Sequence, residues 1–158
     1  MRYKKILLAT DGSEHSLEAA KRAKILLDQG AAEELVIMNV IASMENHWDP
    51  TTLNMVKEQA DNLGRQVIES TQEIFGGNDK ISTVVEVGPP AETICKYAAK
   101  NGVDLIVIGS RGLNTFSGLL LGSVSHRVIH YANCPVLLVK PYREVSYFDS
   151  PEVVSGIV

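Results

Sequence analysis

Apolar residues recur along the chain in two patterns, short continuous runs and helix-like spacings. A continuous apolar run bounded by charges or turn residues is typical of a strand that is buried on both faces of a parallel sheet. The sequence predicts such strands at residues 6–9, 35–40, 81–87, 105–108 and 135–139. The third of them alternates in part and is rich in β-branched residues, which also favours a strand.

The segments between these strands carry apolar residues three, four and seven positions apart, the spacing of one helix face. They predict a helix from an N-cap at Ser13 to Gly30, and others at residues 52–75, 90–102 and 119–132. Residues 41–51 and 109–118 are predicted as loops. The predicted inward-facing residues are Ser16, Ala20, Ala23 and Leu27, then Val56, Ala60, Leu63, Val67 and Ile74, then Ala91, Ile94, Cys95 and Ala98.

Strands that alternate with helices indicate parallel pairing through right-handed crossovers. The fold class predicted is therefore α/β, a doubly wound five-stranded parallel sheet in the order 3-2-1-4-5 with helices on both faces. We expect one domain at residues 1–141, followed by a C-terminal tail at residues 142–158.

Composition narrows the classes of partner. The net charge is −4 and the lysines and arginines are scattered among acidic residues, whereas nucleic-acid binding usually needs a basic stripe. No apolar stretch approaches the ~20 residues that span a bilayer, and the N-terminal apolar run is too short for a signal peptide. We expect a cytoplasmic protein with no nucleic-acid or membrane partner, and two reduced thiols at Cys95 and Cys134.

Candidate chemistry lies where the predicted strands end, because ligands of open α/β sheets bind beyond the carboxyl ends of the strands. Thr10-Asp11-Gly12-Ser13 follows the first strand and Gly109-Ser110-Arg111-Gly112 follows the fourth. Glycines let backbone N–H groups approach a phosphate, and the helix that begins near Gly122-Ser123 adds its positive dipole end. Arg111 supplies a charge, so the segment predicts a polyphosphate site; a plain glycine-rich turn without a ligand is the alternative.

Other known nucleotide motifs are absent from the sequence. There is no G-x-x-x-x-G-K-[ST] motif, and Gly109-Ser110-Arg111-Gly112 lacks the third glycine of a dinucleotide fingerprint. Asp11, Ser13 and His15 superficially suggest a nucleophilic triad, but residues on one turn have poor geometry for proton relay. We expect His15 to face solvent.

Three further side chains are of types that often contact ligands. His126 and His130 lie four residues apart on the last predicted helix, but no further ligand is in register, so a polar helix face is predicted and no metal site. Trp48 lies in the loop after the second strand. It either covers a base or anchors the loop, and the sequence does not decide between the two.

The spacing Gly109-x-x-Gly112, nine residues, then Gly122-Ser123 resembles the ATP-binding signature of the universal stress protein family. Residues 5–13 and 133–140 resemble the first strand with its turn and the last strand of that family. The resemblance covers about residues 1–141, nearly the whole chain.

The resemblance implies a set of nucleotide-binding residues and no catalytic residue. It places Asp11 at the ribose or near a metal, Ala9 in the pocket wall and the backbone of Val40 at the adenine. The ribose and phosphates would lie on two further segments, comprising Ile108, Gly109, Ser110, Arg111 and Gly112, and Gly122, Ser123, Val124 and Ser125.

The implied ligand is ATP, with the presence of a magnesium or manganese ion left open. The resemblance also implies a homodimer in which the last strand, Val136 to Val139, pairs antiparallel with its copy. Such pairing would cover an apolar edge strand, although the chain's own tail is an alternative cover.

These inferences together favour a regulatory stress-response protein that holds ATP as a nucleotide-dependent switch, with slow or no hydrolysis, and acts on an unidentified protein partner. One alternative is an enzyme that hydrolyses ATP or phosphorylates itself at Ser123 or Ser125. Another is a dimeric interaction protein that binds no ligand.

Overall fold

A computed structural model describes residues 2–42, 49–113 and 121–141 of the chain. Strands and helices alternate along these residues, as the apolar patterns predict. The elements are β1 (Tyr3–Ala9), α1 (Glu14–Asp28), β2 (Ala32–Ile41), α2 (Pro50–Glu73), β3 (Ile81–Val87), α3 (Pro90–Lys100), β4 (Leu105–Gly109), α4 (Ser123–Tyr131) and β5 (Val136–Val139).

The five strands form one parallel sheet in the order β3-β2-β1-β4-β5, which confirms the predicted fold class. The chain moves outward from β1 through β2 to β3, and then crosses back to β4. Strand order therefore reverses between β1 and β4, and this reversal leaves a crevice at their carboxyl ends.

The core consists of two apolar layers, one on each face of the sheet. Alternate residues of each strand point to opposite faces, so Leu8 packs in the layer with α1 and α2 whereas Leu7 packs in the layer with α3 and α4. Helix α1 contributes its predicted face: Ser16, Ala20, Ala23 and Leu27 are buried. In α3, Ala91, Ile94 and Ala98 are buried and Cys95 is half-buried.

Two helices begin at other residues than the sequence predicted. Helix α2 begins at Pro50, not Thr52, because the Asp49 carboxylate accepts hydrogen bonds from the N–H groups of Thr51 and Thr52 and a proline suits the first helical position. Helix α4 begins at Ser123, because Gly122 is extended and serves as its N-cap. The predicted start at Leu119 lies outside the described residues, as do Trp48 and the predicted tail.

The predicted apolar face of α2 is correct except at Leu63. Val56, Ala60, Val67 and Ile74 are half-buried, whereas Leu63 is 63% exposed. The fully buried positions are Gly64, Ile68 and Thr71. A glycine gives no apolar signal, yet Gly64 is where α2 approaches the sheet most closely. A Cβ atom at this position would lie 2.9 Å from a Val85 methyl group and 3.0 Å from Asn39 Oδ1.

Both cysteines are half-buried free thiols. Burial raises the pKa of Cys95 and of Cys134, and the charge of Cys134 adds to the shift at Cys95. Across the described ranges, no helix is both long enough and apolar enough to cross a bilayer.

Alanine at position 64 is expected to destabilise the protein, although alanine favours a helix over glycine by about 1 kcal/mol. The added methyl group would overpack the contact with Val85, which costs about 1–3 kcal/mol. The net loss expected in urea unfolding for Gly64→Ala is about 1 kcal/mol. Gln66→Ala, at an exposed position of the same helix, should leave the midpoint within error. A Gly64→Ala protein more stable than the wild type would contradict the close packing described.

Candidate functional site

A pocket of about 270 Å³ opens at the carboxyl ends of β1, β2 and β4, where strand order reverses. Its volume is close to the lower end of the roughly 300–1,000 Å³ range of small-molecule sites. The residues that line it are Ala9, Thr10, Asp11, Ser16, Met38, Val40, Ala42, Pro90, Ile94, Ile108, Gly109, Arg111, Gly112, Leu113, Gly122, Ser123, Val124 and Ser125.

The structure brings the predicted site residues together around this pocket. All of them line it except Ser110, which is 2% exposed and lies beneath the surface. Seven further lining residues were not predicted as site residues: Thr10, Ser16, Met38, Ala42, Pro90, Ile94 and Leu113. The apolar character of Met38, Pro90 and Ile94 signalled burial, but only the sheet order shows that they border the pocket.

The floor of the pocket is apolar. Ala9 is paired with Met38 of β2 and with Ile108 of β4, so these side chains lie on the same face of the sheet. Ile94 of α3 borders the same space. A surface of this kind, with a few polar groups at its rim, is typical of a site for a flat organic ring system.

The opposite end of the pocket is formed by the start of α4 and is suited to an anion. The N–H groups of Ser123, Val124 and Ser125 belong to the first turn, where an α-helix has no internal acceptors. The helix dipole places partial positive charge at this end. Arg111 and Asp11 are the charged side chains among the described lining residues.

Ser110 joins four elements directly under the pocket. Its N–H donates to Val139 O of β5 at 2.6 Å, and its carbonyl oxygen accepts from Gly122 N at 2.7 Å and from Ser125 Oγ at 2.8 Å. Its hydroxyl lies 2.8 Å from His15 Nδ1 of α1. Ser110 thereby fixes where α4 begins relative to β4 and β5.

The Asp11 carboxylate bridges two segments of the protein. Its Oδ1 accepts from Ser13 N at 3.0 Å, within the turn that follows β1, and its Oδ2 accepts from Leu113 N at 3.0 Å. The turn also contains Gly12 with φ 80°, a conformation that favours glycine. The nucleotide contact that the resemblance implies for Asp11 stays a prediction, and the carboxylate already holds backbone groups of its own chain.

The expectation that His15 faces solvent is wrong. His15 is half-buried, and its Nδ1 reaches the Ser110 hydroxyl. The cause is a close approach between α1 and the end of β4. At Gly109, a Cβ atom would lie 2.7 Å from the carbonyl carbon of His15 and 2.8 Å from Ser16 N.

The two other histidines of interest, His126 and His130, are exposed on α4. Within residues 2–42, 49–113 and 121–141, no group of three or more histidine, cysteine, aspartate and glutamate side chains is placed to hold a metal ion.

Comparison with known proteins agrees with this geometry. The model of the universal stress protein family matches residues 2–140. The chain belongs to the universal stress protein family. It is 39% identical over 144 residues to the universal stress protein MJ0531 of Methanocaldococcus jannaschii, an alignment that covers 87% of this chain and 82% of that protein.

Two solved structures of the family extend the likeness to three dimensions. The protein MJ0577 of Methanocaldococcus jannaschii is 34% identical with a TM-score of 0.73, over 91% of this chain and 100% of that chain. A universal stress protein solved in complex with cAMP is 26% identical with a TM-score of 0.63, over 90% of this chain and 100% of that chain.

Alanine at position 109 is expected to destabilise the protein strongly, because the added methyl group would meet the backbone of α1 and not a flexible side chain. We expect a loss of about 3 kcal/mol in urea unfolding, the upper end of the range for overpacking. Gly76→Ala is a matched control: it meets no atom within 4 Å and carries only the strain of its φ of 61°. Equal losses in the two variants would show that β4 and α1 separate easily.

Proposed function

We propose that this universal stress protein binds ATP in the pocket between β1, β4 and α4 and acts as a nucleotide-dependent regulatory switch. One observation carries the proposal: an apolar floor and the N-terminus of a helix border one pocket. A base and a polyphosphate require such a combination. The complex of a 26% identical relative with cAMP, an adenine nucleotide, supports the choice of ligand class.

Each part of the nucleotide has residues suited to it. The floor around Ala9 and Ile108 would take the adenine beside the backbone of Val40, and the N–H groups at the start of α4 would take the phosphates. Arg111 would offset part of the phosphate charge. If a divalent cation such as magnesium or manganese accompanies the phosphates, the Asp11 carboxylate would supply oxygen ligands of the kind that it prefers.

The pocket favours retention of ATP over hydrolysis. Among the described lining residues, Asp11 is the one carboxylate, and it already accepts hydrogen bonds from two backbone N–H groups. A general base must lie within reach of the attacking water and accept its proton. No histidine lines the described part of the pocket, and the two hydrogen bonds hold Asp11 against the backbone. Ser125 donates its hydroxyl proton to Ser110 O and is 2% exposed, so exposed Ser123 is the better candidate for any self-phosphorylation.

The contact between Ser110 N and Val139 O supports the switch. It connects the loop at the phosphate end of the pocket with β5, an edge strand of the sheet. Occupancy of the pocket would thus bear on the surface at β5, through which the protein would signal to its partner in the cytoplasm.

Protein purified without added nucleotide is expected to carry ATP. After denaturation, chromatography and mass analysis of the supernatant should find ATP near one equivalent per chain. Gly122→Val should carry much less, because a branched side chain would narrow the phosphate end at a pocket-lining position. Circular dichroism of both proteins controls for folding.

Other results would redirect the proposal. An empty protein that also fails to bind ATP with magnesium in titration favours the interaction protein that binds no ligand. Recovery of cAMP in place of ATP would support the pocket as the binding site but would identify cAMP as its ligand. Turnover of ~1 per second or more, or transfer of label from γ-labelled ATP that Ser123→Ala abolishes, would make the protein an enzyme.

We further propose a homodimer formed by antiparallel pairing of β5. Leu137 and Leu138 of this edge strand are each 37% exposed, and Ile129 and Tyr131 of α4 are also exposed. An apolar edge strand of this kind exposes unpaired backbone groups that a second copy can satisfy.

Sedimentation at micromolar concentration should therefore give the mass of a dimer. Leu137→Lys should give a monomer, because a charge would be buried between the two edges. Leu63→Lys on α2 introduces the same charge at an exposed leucine on the opposite side of the sheet and should remain dimeric. A wild-type monomer would rule the β5 dimer out.

A further inference from the structure

Three side chains at alternate positions after β1 contact the loop after β4. His15 Nδ1 lies 2.8 Å from Ser110 Oγ, Ser13 Oγ donates to Arg111 O at 3.4 Å, and Asp11 Oδ2 accepts from Leu113 N at 3.0 Å. We refer to residues 11, 13 and 15 as the turn row and to residues 110–113 as the glycine loop. The partners run in opposite directions, so the two segments are joined along their length.

The glycine loop needs such support because it lies beyond the last ladder pair of β4, Gly109 with Val139. Regular strand pairing no longer fixes its backbone there, although Arg111, Gly112 and Leu113 all line the pocket. The turn row supplies side-chain partners in place of a neighbouring strand.

Gly112 fits the Asp11 carboxylate closely. A Cβ atom at position 112 would lie 2.6 Å from Asp11 Oδ2, so any other residue there would displace the carboxylate from its present position. The glycine at this position and the aspartate after β1 therefore depend on one another.

The turn row is itself fixed to the core. Asn39 Nδ2 donates to Thr10 O at 2.8 Å, and the buried hydroxyl of Thr10 contacts that of Thr71 on α2 at 3.2 Å. Ser13 caps α1 by accepting from Ser16 N. The contacts that position the glycine loop are thus anchored in the packed interior.

We propose that Asp11 is a positioning residue of the nucleotide site: its carboxylate, together with Ser13 and His15, holds the glycine loop in the shape that receives the phosphates. The inference deepens the proposed function and rests on it. A loop ordered before the ligand arrives has less conformational freedom to lose on binding. The residues that superficially suggest a catalytic triad thus hold a loop.

Asp11→Asn tests the inference in the ligand-free protein, because an asparagine side chain has one acceptor oxygen for two N–H donors. Hydrogen exchange of the Leu113 amide, followed by NMR, should become about tenfold faster or more, as expected for loss of a hydrogen bond to a charged group. Glu14→Gln removes the same charge three residues away, at an exposed position, and should leave exchange unchanged. Unchanged exchange in Asp11→Asn overturns the inference.

Titrations in EDTA then distinguish loop positioning from direct contact. In Asp11→Asn the affinity for ATP should fall about 3- to 10-fold, the equivalent of one net hydrogen bond, while that for adenosine stays the same. Loss of a direct ribose contact would weaken the binding of ATP and of adenosine by the same factor, and that result would contradict the inference. If the charge of Asp11 acted only through Coulomb repulsion of the phosphates, its removal would strengthen ATP binding, and that result would contradict the inference as well.

Gly112→Ala keeps the inference testable if Asp11→Asn fails to fold, because it displaces the carboxylate without removing it. Gly112→Ala should accelerate exchange of the Leu113 amide about as much as Asp11→Asn does. The variant that carries both substitutions should exchange no faster than either single variant, because both substitutions break the same contact. Additive effects would overturn the inference. If the wild type binds no ATP, the proposed function fails, but Leu113 exchange still decides the role of Asp11.

Discussion

The arrangement of the pocket depends on the hydrogen bonds of one buried residue, Ser110. Its N–H donates to Val139 and its carbonyl oxygen accepts from Gly122, so the ends of β4 and β5 and the start of α4 meet at a single residue. Its hydroxyl adds α1 through His15. A buried residue must have its backbone polar groups satisfied, and here each partner also positions a wall of the pocket. The hydrogen bonds that satisfy the buried polar groups of Ser110 therefore also fix the shape of the site.

The same constraint explains why the pocket combines an apolar floor with a polar end. The floor is the edge of the α3 and α4 core layer at Ala9 and Ile108, and α4 begins beside the same pocket at Ser123. The apolar sheet face and the helix N-terminus therefore border one space. A ligand with a flat ring and an anionic chain matches both surfaces.

Much of this arrangement could be predicted from the sequence, because it depends on local patterns. Continuous apolar runs predicted five strands, and their alternation with helices predicted a doubly wound parallel sheet. The segments after the first and fourth strands followed from the rule that ligands bind at strand ends, and the individual site residues followed from the family resemblance. The predictions that were wrong concern residues without a local signal. Gly64 is a buried position of α2 that has no apolar signal, because close packing there requires the absence of a side chain. His15 is drawn inward by the approach of α1 to Gly109.

The contacts of Asp11 show most clearly what local patterns omit. Its partner Leu113 N lies 102 residues away in sequence, so neither periodicity nor motif spacing relates the two. The resemblance assigned Asp11 to the ligand, which is the simplest role for a carboxylate beside a pocket. An ionised carboxylate has about four lone-pair sites, of which two hold backbone N–H groups in this structure. The others remain available to a divalent cation. Loop positioning and ligand contact are therefore compatible, and the first prepares the geometry on which the second depends.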